Sequence, residues 1–341
     1  MTTSSVGAVV IGRNEGDRLR VCLESVLPHV DATVYVDSGS VDGSAALATR
    51  LGAHALELSP GTPFTAARAR NVGWKRILEL NPGIQYIQFV DGDCALAESW
   101  IGAAVAALAA HPETAVVCGH VREDRRDRNI YHRLAGMEWD TPVGLTKYCG
   151  GIAMVRPAAL TQVGGFRDDL IAGEEPELCV RLRQAGWSIV KLDHEMASHD
   201  CDIDSFWLWW KRTVRSGRAY AEGAALHGAS PERHWVKETR GIWFWGVAVP
   251  VLGVVLAIPT HGVSLAIVVV LYLLLAIKIV IGQLHRQRRS LADASLYALA
   301  CVVGKWPQAI GLLTYYWKRR ARSGTGRIEF GERRCASKDV P

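Results

Sequence analysis

Two carboxylates one residue apart, Asp91 and Asp93, close the apolar run Tyr86-Ile87-Gln88-Phe89-Val90. Carboxylates this close repel unless a cation sits between them. Hard oxygen ligands suit Mg²⁺ or Mn²⁺, and either ion can in turn hold a diphosphate. Gly92 allows the tight backbone turn between them. Taken alone, the triplet also fits an ordinary Asp-Gly turn after a strand. Glu174 and Glu175 form a second acidic pair, within Gly173-Glu174-Glu175-Pro176-Glu177. They fall at an expected helix N-terminus, where the dipole favours negative charge. They therefore read as capping residues, or one of them as a general base beside the metal site. A third group combines aromatic and basic residues: Phe206-Trp207-Leu208-Trp209-Trp210-Lys211-Arg212, with Arg215 and Arg218 beyond. Amphipathic helices lying in a membrane interface have this composition.

Each group needs an element to hold it. Residues 6–11 read as a buried strand that leads into Arg13-Asn14-Glu15, and residues 32–36 as a second. The second leads into Asp37-Ser38-Gly39-Ser40-Val41-Asp42-Gly43-Ser44. Such a loop can offer backbone N–H groups and a carboxylate to a nucleotide, or simply cap the next helix through Ser40 or Asp42. Helical spacing covers 17–27, 45–51, 65–80 and 99–110; strands are expected at 53–58, 86–90 and 115–118. The helix over 65–80 carries Arg68 and Arg70. Strand and helix alternate four times in the first hundred residues. That predicts an α/β domain with a mainly parallel sheet, helices on both faces, and ligands at the C-terminal ends of the strands.

The later part of this domain is less regular. Residues 122–133 are strongly charged and read as an exposed excursion. Gly150 and Gly151 open a strand at 149–155, either to let the backbone approach a ligand or as a bulge. A helix over 176–184 and a last strand over 187–192 follow, with His194 and His199 beyond.

The chain has 341 residues and a net charge of +5, and nearly all of the basic excess lies after residue 205. Basic charge beside apolar segments fits anionic lipid headgroups; no nucleic-acid motif is present. The eight cysteines are scattered, without a Cys-x-x-Cys pair, which predicts reduced thiols in a cytosolic domain. The N-terminus has no basic segment and too short an apolar run for a signal peptide. Residues 241–258 and 263–282 are apolar and long enough to cross a bilayer core of about 30 Å. With Pro259-Thr260-His261-Gly262 between them they predict a transmembrane hairpin. Lys237 and Arg240 before it, and His285, Arg286, Arg288 and Arg289 after it, place both ends on the cytoplasmic side of the inner membrane. Residues 291–317 are apolar but carry Asp293, Lys305 and Pro307. A third span would put Lys318-Arg319-Arg320 outside, so a re-entrant or interfacial helix pair, broken at Lys305-Trp306-Pro307, is expected. The resulting division is 1–203 catalytic, 204–240 interfacial, 241–282 hairpin, 283–322 re-entrant or interfacial, and 323–341 a polar tail.

In this order the motifs resemble glycosyltransferase family 2, the inverting enzymes of the GT-A fold, and especially its membrane-attached bacterial members. The likeness rests on Val9-Val10-Ile11-Gly12-Arg13-Asn14-Glu15, Val36-Asp37-Ser38-Gly39-Ser40-Val41-Asp42-Gly43, Ala67-Arg68-Ala69-Arg70-Asn71-Val72-Gly73, Asp91-Gly92-Asp93 and Gly173-Glu174-Glu175. The second segment more often reads Asp-Asp-Gly-Ser in the family, so Ser38 departs from it. The resemblance implies a sugar nucleotide, UDP-linked first and GDP-linked second. Asn14, Glu15, Asp37, Ser38, Arg68, Gly151 and Glu174 would border the donor, and Arg70 would neutralise its diphosphate. Asp93, with Asp91, would hold Mg²⁺ or Mn²⁺, although Asp91 in the family more often touches ribose. His199 stands near the place where some related enzymes complete the metal site. Glu175 stands where the family usually has the Asp that acts as base; it is one methylene longer.

Processive synthases of the family carry Gln-x-x-Arg-Trp where this chain has Trp209-Trp210-Lys211-Arg212. That departure, and a single hairpin, favour transfer of one sugar to a lipid or lipid-linked acceptor, with Trp209, Trp210, Arg212 and Arg215 at the membrane surface. The same face would also serve self-association. Two other readings compete. A nucleotidyltransferase would need an early Gly-rich basic loop, for which Gly12-Arg13-Asn14-Glu15 is a poor match. A non-catalytic membrane scaffold is opposed by the intact Asp91, Asp93 and Glu175.

Overall fold

The computed structural model describes residues 5–324. Strands β1 (Val6–Gly12), β2 (Ala32–Asp37), β3 (His54–Glu57) and β4 (Tyr86–Asp91) are the four expected first. They run parallel in the order β3-β2-β1-β4. Helices α1 (Asp17–Val26), α2 (Ser44–Leu51) and α3 (Ala66–Leu80) connect them. β1, β2 and β4 are mostly apolar because both of their faces are covered, whereas the edge strand β3 is half-exposed. Close packing explains Gly73 of α3: a Cβ there would lie 2.3 Å from Val9. Register then sets the site. Gly12 pairs with Asp37 and Ile11 with Asp91, so three polar segments leave one edge of the sheet together.

The second half of the domain is mixed rather than parallel. It holds β5 (Cys94–Leu96), α4 (Trp100–Ala110), β6 (Thr114–Glu123), α5 (Ile130–Glu138), β7 (Gly144–Leu145), β8 (Ala153–Val155), α6 (Pro157–Val163), α7 (Glu174–Gln184) and β9 (Ser188–His199). The sheet continues β4-β8-β6-β9-β5, with β7 also on β9. β8 runs against β4 and β6, and β5 runs against β9.

Three expectations change here. The last strand does not stop at 192 but runs through to His199, because its polar outer residues hid it. The acidic pair does not precede a helix starting at 176; α7 begins at Glu174 itself, with Gly173 as its cap. The charged stretch 122–133 is exposed at most positions, as expected, but most of its charges are paired rather than freely solvated. Glu123 ends β6 and is buried; Arg125 binds Asp200, Arg128 binds Asp204, and Arg126 and Arg133 bind Asp293.

The remaining chain is helical: α8 (Phe206–His227), α9 (Val236–Ile242), a π-helical stretch Trp243–Ala248, α10 (Val249–Val255), α11 (Val263–Arg286), α12 (Leu291–Val303) and α13 (Lys305–Gly324). The first limb of the expected hairpin is therefore interrupted. In a π-helical register the carbonyl of Trp245 would meet the N–H of residue 250, but residue 250 is proline and has none. The Tyr272 hydroxyl of α11 donates to that carbonyl instead. By length and composition two helices suffice to cross a membrane: α11, with mean hydropathy 2.9, and the run Leu291–Ala321, with 1.3. None of the apolar window of α11 is buried among the described residues. The second run breaks at Gly304, just before Lys305. α13 lies against α8 with backbones touching: a Cβ on Gly217 would be 2.1 Å from the Gln308 carbonyl, and one on Gly311 1.9 Å from that of Val214.

Candidate active site

A cavity of about 630 Å³ opens at the strand ends. One wall is the sheet edge, with Arg13, Glu15, Ser38, Asp91 and Asp93. The start of α3 adds Phe64 and Arg70, and the start of α7 adds Gly173 and Glu174. The opposite wall is α8, with Arg212, Arg215, Ser216 and Tyr220, closed by Trp235.

Asp91 and Asp93 leave β4 in different directions. Asp91 accepts from Arg70 at 2.8 Å; Asp93 turns toward His199, with Oδ2 3.5 Å from Nε2. Strand register makes the second meeting, since Cys94 of β5 pairs with His199 of β9. Glu123 of β6 pairs with the same residue, and its Oε2 accepts from His199 Nδ1 at 2.7 Å. Its Oε1 accepts from the backbone N–H of Cys201 at 2.8 Å. Burial works against charge on the imidazole, but the hydrogen bonds and charges of Asp93 and Glu123 outweigh it, and the His199 pKa is pushed up to about 10. Burial likewise opposes charge on Asp93, yet its bond to His199 leaves its pKa lowered. For Asp91, burial dominates over Arg70 and the pKa is raised.

The geometry fits a divalent ion. The carboxylate of Asp93, the ring of His199 and the Cys94 thiol gather within 4.8 Å of one another. A carboxylate oxygen and an imidazole nitrogen suit Mn²⁺ or Mg²⁺, and so few protein ligands leave positions for phosphate oxygens and water. Glu123 holds the far nitrogen of the ring, as outer-shell carboxylates do for metal-binding histidines. Sequence reading missed Glu123 because it lay in the segment assigned to solvent.

Several expected site residues serve elsewhere. Arg70 is buried and bidentate to the acids, binding Asp91 and, at 2.7 Å, Glu174. Its charge is already balanced, so it fixes two carboxylates instead of standing free for a diphosphate. Gly151, at φ +87°, leaves room for that guanidinium; a Cβ would be 3.0 Å from its Nη2. Asp37 is buried and accepts from the N–H groups of Gly39 and Ser40 and from the Tyr35 hydroxyl. Asn14 accepts from the N–H of Val41 and donates its own N–H to Ser40, which locks the two loops together. Arg68 donates to the carbonyls of Ser59 and Thr62, away from the cavity. Glu15 and Ser38 do line it; burial leads the causes that raise the Glu15 pKa, with Asp93 next.

The two glutamates of α7 separate. Glu174 lines the cavity, paired with Arg70. Glu175 is buried behind it, its Oε1 accepting from the Cys149 N–H at 2.6 Å and the Cys179 thiol at 3.0 Å. Its Oε2 takes no hydrogen bond among the described residues. On α8, Arg212 pairs with Glu138 and Arg215 has no carboxylate partner among the described residues. Trp209 stacks beside Tyr131 and Phe206 and borders a second cavity of about 500 Å³, which shares Arg212, Ser216 and Tyr220 with the first. Trp210 packs on Phe206 and Trp207, off both cavities. Trp235 was also missed. Its ring fits between Gly173 and Gly223, where a Cβ would approach it to 2.9 and 2.4 Å.

Four parallel strands, a mixed continuation and an Asp-x-Asp at the end of the fourth strand define a GT-A glycosyltransferase fold. Residues 8–160 match the family described as Glycosyl transferase family 2. The mannosyltransferase PcManGT from Pyrobaculum calidifontis, solved with GDP-Man and Mn²⁺, superposes with a TM-score of 0.57 at 18% identity, over 93% of this chain and 89% of that one. TarS of S. aureus (residues 1–349) gives 0.46 at 14% identity, over 94% and 92%. Glucosyl-3-phosphoglycerate synthase from Mycobacterium tuberculosis, with Mn²⁺ and UDP, gives 0.47 at 18%, over 65% and 79%. No curated protein sequence matches significantly.

Proposed function

We propose that this protein moves a single sugar, with inversion, from a nucleoside-diphosphate sugar to a lipid or lipid-linked acceptor at the cytoplasmic face of the inner membrane. The observation that carries the proposal is Asp93 facing His199 in a cavity whose far wall holds Arg215, which has no carboxylate partner among the described residues. Asp93 and His199 would hold Mn²⁺ or Mg²⁺; when bound, the ion supplies Lewis-acid stabilisation of the leaving diphosphate. Arg215 meets the anionic diphosphate, in the place first expected of Arg70. Arg13, Glu15 and Ser38 border the nucleoside, with UDP preferred over GDP.

Glu175 takes the proton from the acceptor hydroxyl as that oxygen attacks the anomeric carbon from the opposite face. Glu174 is less available, because its carboxylate is already tied to the Arg70 guanidinium. Glu175 keeps Oε2 for the task. Support for membrane attachment comes from α11, whose apolar window is not buried among the described residues, and from the basic residues flanking it.

The test uses detergent-solubilised protein, Mn²⁺, a panel of radiolabelled UDP- and GDP-sugars and a bacterial lipid extract. Label should pass from one donor into the organic phase, and EDTA should stop it. Label passing only into water-soluble products would overturn the lipid acceptor.

A further inference from the structure

Behind the cavity, outside the Asp93–His199 pair, lies a second cluster of metal-binding atoms. Glu175 and Cys179 sit one turn apart on one face of α7, and Cys149 approaches them from the loop before β8. The two sulfurs are 3.9 Å apart, and the Cys179 sulfur is 3.0 Å from Glu175 Oε1. Two thiolates on one tetrahedral Zn²⁺, each at about 2.3 Å, stand about 3.8 Å apart. The sulfurs are thus already spaced as two ligands of one ion, and the carboxylate has to retreat by only about 0.5 Å to be the third. Cys149 is half-buried, which leaves the fourth position to solvent.

We propose that Cys149, Cys179 and Glu175 form an inhibitory site for a thiophilic divalent cation such as Zn²⁺ or Cd²⁺. Binding displaces one proton from each thiol and forms two metal–sulfur bonds and one metal–oxygen bond. Soft sulfur ligands discriminate against Mg²⁺ and Mn²⁺, so the two sites of the protein select different ions. Before the ion arrives both thiols stay protonated. The contact with Cys179 pulls the Cys149 pKa down, but burial and the neighbouring Glu175 together outweigh it; burial first, then Cys149 and Glu175, carry Cys179 well above the ordinary thiol range. Once bound, the ion draws the Glu175 carboxylate away from an acceptor proton. The loss of transfer rests on Glu175 being the base; the binding does not.

The experiment titrates reduced, full-length protein in detergent with Cd²⁺ and follows the thiolate-to-metal charge-transfer absorption. The expected result is a band that saturates at one ion per chain, persists in excess Mg²⁺ and in Asp93→Ala, and is reversed by EDTA. It should vanish in Cys149→Ser, Cys149→Ala and Cys179→Ser, and persist in Cys301→Ser and Cys335→Ser. A rise in the wild-type melting temperature with Cd²⁺ reports the same site without any substitution. Absence of the band, or its survival in the Cys149 and Cys179 variants, overturns the site; loss in Asp93→Ala moves the ion to the sheet edge. Zn²⁺ added over saturating Mn²⁺ should stop wild-type transfer, and the ratio of rates with and without Zn²⁺ should return toward one in Cys149→Ser. A bound ion that leaves the wild-type rate unchanged keeps the site and removes Glu175 from the role of base.

Discussion

The two walls of the cavity are built by different means. The sheet-edge wall is fixed by strand register: Ile11 opposite Asp91, Cys94 opposite His199, Glu123 opposite His199. A shift by one residue would turn each of these side chains to the other face. The α8 wall is fixed by packing of small residues, with Gly217 and Gly311 letting α8 and α13 touch backbone to backbone. One wall carries the carboxylates and is built on the sheet; the other carries Arg212 and Arg215 on α8 and depends on the docking of α13. The difference predicts that chemistry can be removed from the first wall without unfolding it, and that the second wall can be loosened without touching the chemistry.

The sharpest break is in the chemistry. Glu175→Gln should lower kcat by about 10²–10⁴-fold, the usual contribution of a general base. KM for the donor should hardly move. Glu174→Gln should instead raise donor KM, by releasing Arg70 and with it Asp91. Equal effects of the two substitutions on kcat would blur the assignment. Next comes the second layer of the sheet-edge wall. Glu123→Gln should weaken Mn²⁺ binding by about 10–100-fold, the usual loss for a partner of a metal-bound histidine, and excess Mn²⁺ should restore the rate. A loss that no Mn²⁺ concentration repairs would mean that Glu123 is needed for folding.

On the helical wall, Gly311→Leu forces a side chain into the α8 backbone at a cost of about 1–3 kcal/mol, the range for overpacking. Thermal unfolding in detergent should show the helical signal melting earlier, while metal-dependent nucleotide binding by the sheet edge survives. Loss of both together would deny that the walls are independent. The smallest effect is expected of Arg215→Gln: about a tenfold rise in donor KM with kcat little changed, equal to about 1.4 kcal/mol of binding. The effect should shrink at high salt, as screening weakens an exposed charge.

The contrast between the walls also explains what could be read from the chain. β1, β2 and β4 are largely apolar runs, so the sheet edge and Asp91-Gly92-Asp93 stand out in the sequence. Register is not local information. That His199 meets Asp93 depends on β5 lying beside β9, and β9 is disguised by Asp193, Glu195 and their polar neighbours. Glu123 was hidden for the same reason, in a run of charges that turned out to be paired. Arg70 was legible as a site residue but not in its role, because nothing in Ala69-Arg70-Asn71 shows that two acids will reach it. In the helical part composition revealed apolar segments, but not the π-helical break before Pro250 or the docking of α13 on α8. Single glycines decide that docking, and a lone Gly217 or Gly311 reads like any other helix glycine.

The central claim is that the sheet edge binds a nucleoside diphosphate through a divalent ion held by Asp93 and His199. Titration of UDP, GDP and dTDP into the purified wild type and Asp93→Ala, each with Mn²⁺ and with EDTA, tests it most directly. The account predicts that one diphosphate, UDP before GDP, binds the wild type with Mn²⁺, and that either EDTA or Asp93→Ala abolishes the binding. Equal binding with and without the metal, or unchanged binding to Asp93→Ala, would contradict it.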